Sequence, residues 1–327
     1  MVTRFFWNDD QRRLRAPWRL ALQVALIVGL AVGVNLLFNS LFPLLRSALE
    51  SAPDSLLPAV VRAVGGVLTG AVFVGAIWLG NYVLDRRRFP DYGFHLGRDW
   101  WLDLGFGLVL GAALMTLVFL VELAAGWVTV TGTVQTAVPG RSFAAEFLAT
   151  FVFFVSVGVY EELLLRGYLL RNLAEGLQWF DRVRPVAAIV AATVVSSLVF
   201  GVLHFFNPNA TLVSTLGISF AGVFLAIGYV LTGELAIPVG VHVTWNFFQG
   251  PVFGFPVSGS QSAATLVAVE QHGPRVVTGG PFGPEAGLVG LGAILVGSVA
   301  ITAWVRRRYG DVTLQERLVT PVLRWRA

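Results

Sequence analysis

Residues 156–174 read VSVGVYEELLLRGYLLRNL, two adjacent glutamates and an arginine inside an apolar run. Charged groups are costly at bilayer depth, ~3 kcal/mol each even on a translocon-based scale, and persist there where they pair or serve a function. As helical neighbours, Glu161 and Glu162 project about 100° apart. Glu162 and Arg166 are four apart on one face, acid before base, the favourable order for an ion pair. The spacing therefore predicts a Glu162–Arg166 pair and leaves Glu161 without a local partner, suited to act as a general base. The alternative is a helix end at the membrane interface, with Glu and Arg snorkelling into water.

Two histidines fall on other apolar runs. SSLVFGVLHFFNP carries His204 with Phe200 four residues earlier, and VHVTWNFFQG carries His242 with Asn246 one turn later. A lone intramembrane histidine most often packs through a hydrogen bond. Only four histidines occur, however, and His95 and His272 fall in expected loops. His95, near Trp100 and Trp101 at an expected membrane boundary, is assigned no chemistry. His204 and His242, together with Glu161, Glu162, Arg166 and Asn246, are better explained by a shared polar cavity, because such groups face a bundle interior or a water-filled space. Ser196, Ser197 and Ser219 read as small helix-packing residues, and no G-x-S-x-G occurs. H-E-x-x-H is absent too. There is no cysteine, which excludes disulfides, thiolate nucleophiles and cysteine metal sites.

The elements that must hold these residues are membrane helices. The 327 residues are 56% hydrophobic and only 13% charged, with mean hydropathy +0.73, so a polytopic, all-α membrane bundle is expected. Eight spans are predicted at about 20–42, 63–84, 102–124, 143–165, 186–206, 212–232, 235–252 and 286–305, within a single membrane domain over 1–327. The fourth is expected to continue as helix to around Asn172. Every basic residue is an arginine, which reads as compositional bias and not as a nucleic-acid signature. All but Arg46, Arg62, Arg141 and Arg275 fall in the two tails and the even-numbered loops with their flanks. By the positive-inside rule, both termini should face the cytoplasm of a multi-pass cell-membrane protein. The basic N-terminal segment precedes an apolar run without a small-residue cleavage site and reads as a tail before a retained span. Residues 253–285 form a long extracytoplasmic loop. A loop of that length is usually functional or disordered, and within it ATLVAVEQHGPRVVTG has the makings of a small hairpin over the membrane face.

Glu161-Glu162-LLL-Arg166, Phe200-GVL-His204 and His242-VTW-Asn246 occur in this order on separate spans, within a core of 143–250. The arrangement resembles the type II CAAX prenyl endopeptidase family, also called the CPBP or Abi group of CAAX proteases and bacteriocin-processing or self-immunity proteins. The resemblance implies an intramembrane endopeptidase that hydrolyses peptide bonds with an activated water. Glu161 would be the general base, and His204 would help hold the water. His242 and Asn246 would stabilise the oxyanion. Glu162 and Arg166 would support them or contact substrate, with Phe200 behind. No cofactor is favoured. The alternative is zinc on Glu161, His204 and His242, a two-His, one-carboxylate set that fits the metalloprotease label common in the family. Expected partners are membrane lipid and a peptide or protein substrate, membrane-anchored or free, with no nucleic acid. Other function classes are a proton- or cation-coupled transporter and a non-catalytic scaffold or bacteriocin-immunity protein. On the span boundaries above, Glu161 sits near the cytoplasmic end of span four and His204 near the outer end of span five. They meet only if span four runs on through Leu170.

Overall fold

A computed structural model describes residues 3–52, 54–180 and 182–325. The chain is a multi-pass helical membrane protein. Among the described residues, seven helices are long and apolar enough to cross a bilayer. In chain order the crossings are α1 (Ala16–Ser51), α2 (Leu57–Gly80), α3 (Arg98–Ala124), α4 (Phe143–Leu177), α5 (Pro185–Leu203), α6 (Leu212–Thr232), α7 (Ala236–Phe247) and α8 (Leu288–Tyr309). The eighth crossing is supplied by α7, the shortest of them, extended by a π-helical turn over Phe248–Val252.

Local sequence explains where the helices begin and end. Prolines near the first helical position open α1, α2 and α5, where the missing N–H is no loss. Ser142 caps α4 by accepting from Ala145 N, and Thr211 and Ser214 form a capping box at the start of α6. Gly233, at φ +71°, stops α6 in the left-handed region that glycine adopts freely.

Every residue from Ala236 to Trp245 is buried, as expected of a helix apolar on all sides. This central helix lies flush against α3 because glycines let the backbones approach. A Cβ on Gly107 would stand 2.5 Å from Ile237 O, and one on Gly240 would stand 2.6 Å from Leu104 O. By contrast, α1 is peripheral and turns Leu22, Val24, Val28 and Leu36 outward.

Two features depart from the expected outline. The fourth span does not end near residue 165 or 172: it runs through a π-helical stretch, Leu163–Leu170, to Leu177. That extension removes the height conflict, since at ~1.5 Å per residue Glu161 and His204 each stand roughly 25 Å from the same end of the bundle. The second departure concerns ATLVAVEQHGPRVVTG, which does not fold back on itself. Its strand, β2 (Ala264–Gln271), pairs antiparallel with β1 (Val128–Thr136) from the α3–α4 connection, in the register Val128↔Gln271 to Thr136↔Ala264. Strand β1 offers a nine-residue partner with alternating β-branched residues, and the segment after Gln271 turns into a short helix at Arg275–Thr278 instead of a return strand.

The sheet marks one end of the bundle. At the other end both chain tails pack together: Arg13 donates to Asp85 O, Leu323 bridges Arg87, and Arg317 donates to Thr232 O. The arginines predicted to lie in cytoplasmic flanks gather here, but many are not solvated. Arg13, Arg19, Arg87 and Arg171 are buried in a network with Asp85, Asp91 and Glu175. Arg166, grouped with that flank by its position in the sequence, sits deeper, in the middle of α4.

Candidate active site

Glu161 and Glu162 fall at mid-length of α4, where its α-helical turns pass into the π-helical stretch. A π-bulge inside an α-helix often accompanies a functional site. Here it carries Arg166 on toward Gly222 of α6. Arg166 Nη1 donates to Glu162 Oε1 at 2.9 Å, and Nη2 donates to Gly222 O at 3.0 Å. Both partners of the predicted ion pair are fully buried. The guanidinium also stacks on Phe200, 4.5 Å from the ring centroid.

His242 joins the two glutamates. Its Nδ1–H donates to Glu162 Oε1 at 2.8 Å, and its Nε2 faces Glu161 Oε2 at 3.8 Å, beyond hydrogen-bond distance. A carboxylate engaged by arginine only accepts, so Nδ1 must carry a proton, and Nε2 is the nitrogen turned toward Glu161. His204 is set in the same way: its Nδ1–H donates to Phe200 O at 2.8 Å, which leaves Nε2 free. The Phe200 ring touches both imidazoles, with centroids 4.7 Å from His204 and 6.0 Å from His242.

Glu161 differs from its neighbour. Its side chain is 20% exposed, against 0% for Glu162. Tyr160 OH donates to its Oε1 at 3.4 Å, whereas Glu162 Oε1 is met by Arg166 and His242; Oε2 of each glutamate has no hydrogen-bond partner. Glu161, Phe200, His204, His242 and Asn246 all line one cavity of about 480 Å³. Glu162 and Arg166 lie behind that lining and hold it in place. The predicted polar residues are thus brought together, divided between a wall and its support.

Among the described residues no three His, Asp or Glu side chains gather closely enough to hold a metal ion, and Glu161, His204 and His242 do not form a ligand set.

Several lining residues were not singled out from the sequence. Tyr160 stacks on Phe73 of α2 at 4.9 Å and sits beside Glu161. Its adjacency to the glutamates was the available clue. Arg62, Ser258, Ser260, Gln261 and Glu285 line the sheet-end part of the cavity. Glu285 is buried among Ser258 N, at 2.6 Å, Ser258 Oγ and Gln249 Nε2, all donating to it. Burial nevertheless pushes its carboxyl up to about 7, outweighing those donors. Its carrier sequence, PFGPEAG, is an ordinary-looking loop. Its importance depends on distant segments folding around it.

A helical membrane bundle with paired carboxylates and two oriented imidazoles around one internal cavity is the class this chain presents. Residues 143–248 match the family model described as type II CAAX prenyl endopeptidase, Rce1-like. A curated relative, the membrane-embedded CAAX protease MroQ of Staphylococcus aureus (strain USA300), is 29% identical over 151 residues, which cover 45% of this chain and 55% of the relative. The match spans only about half of the relative's length. No solved structure matches the chain.

Proposed function

We propose that the protein is an intramembrane endopeptidase that hydrolyses peptide bonds through a glutamate-activated water. The observation that carries this reading is the contrast between adjacent carboxylates. Glu162 is fully buried with its Oε1 engaged by both Arg166 and His242, while Glu161 is the carboxylate that lines the cavity, 20% exposed and with no charged partner within hydrogen-bond distance. In the reaction, Glu161 takes a proton from a water whose oxygen attacks the scissile carbonyl carbon, and His204 Nε2 helps orient that water. The developing oxyanion is met by the Asn246 amide and by His242 Nε2 when it carries a proton. Glu162, on the opposite nitrogen, stabilises that imidazolium as the aspartate does in a serine-protease triad. Glu161 then returns its proton to the leaving amine as the C–N bond breaks. The match of residues 143–248 to the type II CAAX prenyl endopeptidase model and the likeness to a protease relative support the reaction type.

Both termini are assigned to the cytoplasm, on the asymmetry of the arginines between the two ends of the bundle. The test of function is purification in detergent and incubation with a membrane-peptide library, beside Glu161→Gln and with a chelator added. Cleavage lost in Glu161→Gln and indifferent to chelator is the expected result. Cleavage abolished by chelator and restored by zinc would transfer Glu161, His204 and His242 to ligand roles. Ion flux in place of cleavage, abolished in the same variant, would mark a transporter.

A further inference from the structure

We infer that three arginines drawn from distant parts of the chain, Arg12, Arg86 and Arg324, form a binding site for the phosphate of an anionic membrane lipid at the tail end of the bundle. None of them lines the cavity that holds Glu161, and the site does not rest on the proteolytic reading.

The three meet through the backbone. Arg86 Nη1 donates to Arg12 O at 2.7 Å, and Arg324 N donates to Arg86 O at 3.0 Å. Each guanidinium lies over an aromatic ring supplied by another segment. Arg12 is 5.1 Å from the Trp325 centroid, Arg86 is 5.7 Å from that of Trp7, and Arg324 is 4.2 Å from that of Tyr82. A guanidinium held against a ring keeps its in-plane N–H donors available, and it has less rotamer freedom to lose when a ligand arrives. Those donors are little used. Arg86 donates to Arg12 O and Arg324 to Tyr82 O, while the Arg12 guanidinium donates to nothing among the described residues.

The charge is also uncompensated. All three arginines are exposed, and none forms an ion pair among the described residues, Asp9 and Asp10 on the turn before Arg12 included. The buried acids beneath them are already paired, Asp85 with Arg19, and Asp91 with Arg87 and Arg171. Arg12 and Arg86 are held at φ +46° and +56°, in the left-handed region where glycine or asparagine is the low-strain choice. Strained residues of other types concentrate at functional positions. Here the strain turns both side chains onto their rings and into one patch.

The surface below Arg324 selects a lipid over a soluble anion. Tyr82 ends the second crossing, which continues past α2 to Asp85, and it stacks on Trp78 with centroids 6.1 Å apart. Trp78, Leu79, Tyr82 and Val83 are all exposed, an apolar column at bilayer depth that ends directly under the Arg324 guanidinium. Aromatic rings at such a boundary mark the headgroup level, and arginines there attract anionic lipid. An acyl chain lies along this column while the phosphate accepts from the arginine forks above it. A free phosphate would use the charge alone.

The test titrates the full chain in detergent with phosphatidylglycerol or phosphatidylcholine and reads bound lipid by native mass spectrometry. Arg12→Gln/Arg86→Gln and Arg324→Gln alter the site. Arg306→Gln/Arg307→Gln removes as much charge as the first of these from exposed positions at the end of α8. The parent is expected to bind phosphatidylglycerol more tightly than phosphatidylcholine. That preference should fall about fivefold for each site arginine replaced, stay at the parent's value in Arg306→Gln/Arg307→Gln, and survive excess inorganic phosphate. If the double site variant does not fold, Arg324→Gln decides, since it leaves the N-terminal turn intact. A parent without the preference, or site variants that keep it, would overturn the proposal. An equal loss in Arg306→Gln/Arg307→Gln would also overturn it, by showing diffuse charge in place of a site. Displacement of phosphatidylglycerol by inorganic phosphate would do the same, by showing a soluble-anion site.

Discussion

Replacing Arg166 by methionine leaves Glu162 buried with the His242 imidazole as its remaining side-chain partner. Breaking a buried ion pair by removing one member costs about 3–5 kcal/mol, because the other charge stays desolvated. Arg166→Met should therefore unfold at markedly lower temperature in detergent. Glu161→Gln, at a side chain with 20% exposure and no ion-pair partner within hydrogen-bond distance, should stay within about 1 kcal/mol of the parent. Thermal unfolding monitored by circular dichroism separates them, and equal losses would mean that the two glutamates are not differently employed. At this scale much of the site was legible in the sequence: i,i+4 spacing fixes the Glu162–Arg166 pair whatever surrounds it. The bridge from His242 to both glutamates was not, because it depends on the rotation of α7 against α4, which apolar periodicity does not set on a helix buried on all sides.

Elements meet at small residues and at one buried acid, and each contact makes its own prediction. Gly240→Leu would drive a side chain into the α3 backbone, where a Cβ alone would stand 2.6 Å from Leu104 O and 2.8 Å from Leu108 N. Overpacking of this kind costs about 1–3 kcal/mol. Gly292→Leu, whose Cβ meets nothing within 4 Å, should cost far less and serves as the comparison in the same unfolding assay. Glu285 ties the segment around Ser258 to α8's approach through Gln249 and Ser258. With its carboxyl raised from 4.5 to about 7, it binds its proton more tightly in the folded protein than in the unfolded chain. Its stabilising effect is thus complete below about pH 4.5 and is lost as pH rises through about 7. The unfolding temperature should fall between pH 6 and 8 relative to Glu285→Gln, which lacks that titration; parallel profiles would remove Glu285 from the pH response. The spans themselves were readable from hydropathy, but the strand pairing of β1 with β2 joins segments more than a hundred residues apart, and no local pattern specifies such a partner.

Over the whole molecule, the tail end is held by charge where a membrane protein of this kind was expected to show solvated flanks. The arginine bias correctly marked this end as different. It could not show that Arg13, Arg19 and Arg87 would be desolvated, since burial there is created by the N-terminal tail, the 81–95 segment and the C-terminal tail converging on α4. Glu175 is the common acceptor, engaging all three arginines, with Arg13 at 2.9 Å and Arg19 at 3.1 Å. Its side chain is 4% exposed, so the charges compensate one another with little help from water. Glu175→Ala leaves Asp85 to Arg19 and Asp91 to Arg87, but removes the only carboxylate paired with Arg13 among the described residues. Three cations would then share a buried layer with two acids near them, and the cost should reach about 3–5 kcal/mol. Water and anions would have to enter the layer to relieve it, loosening both tails together. Glu175→Ala should therefore both lower the unfolding temperature and make the two tails susceptible to protease at lower enzyme concentrations than in the parent. Glu50→Ala, which removes an exposed pair with Arg46, should do neither, because exposed pairs contribute only about 0–1 kcal/mol. If Glu175→Ala left the tails protected, the layer would be held by packing of Leu318 and Leu323 instead of charge, and those two leucines would be the residues to replace next.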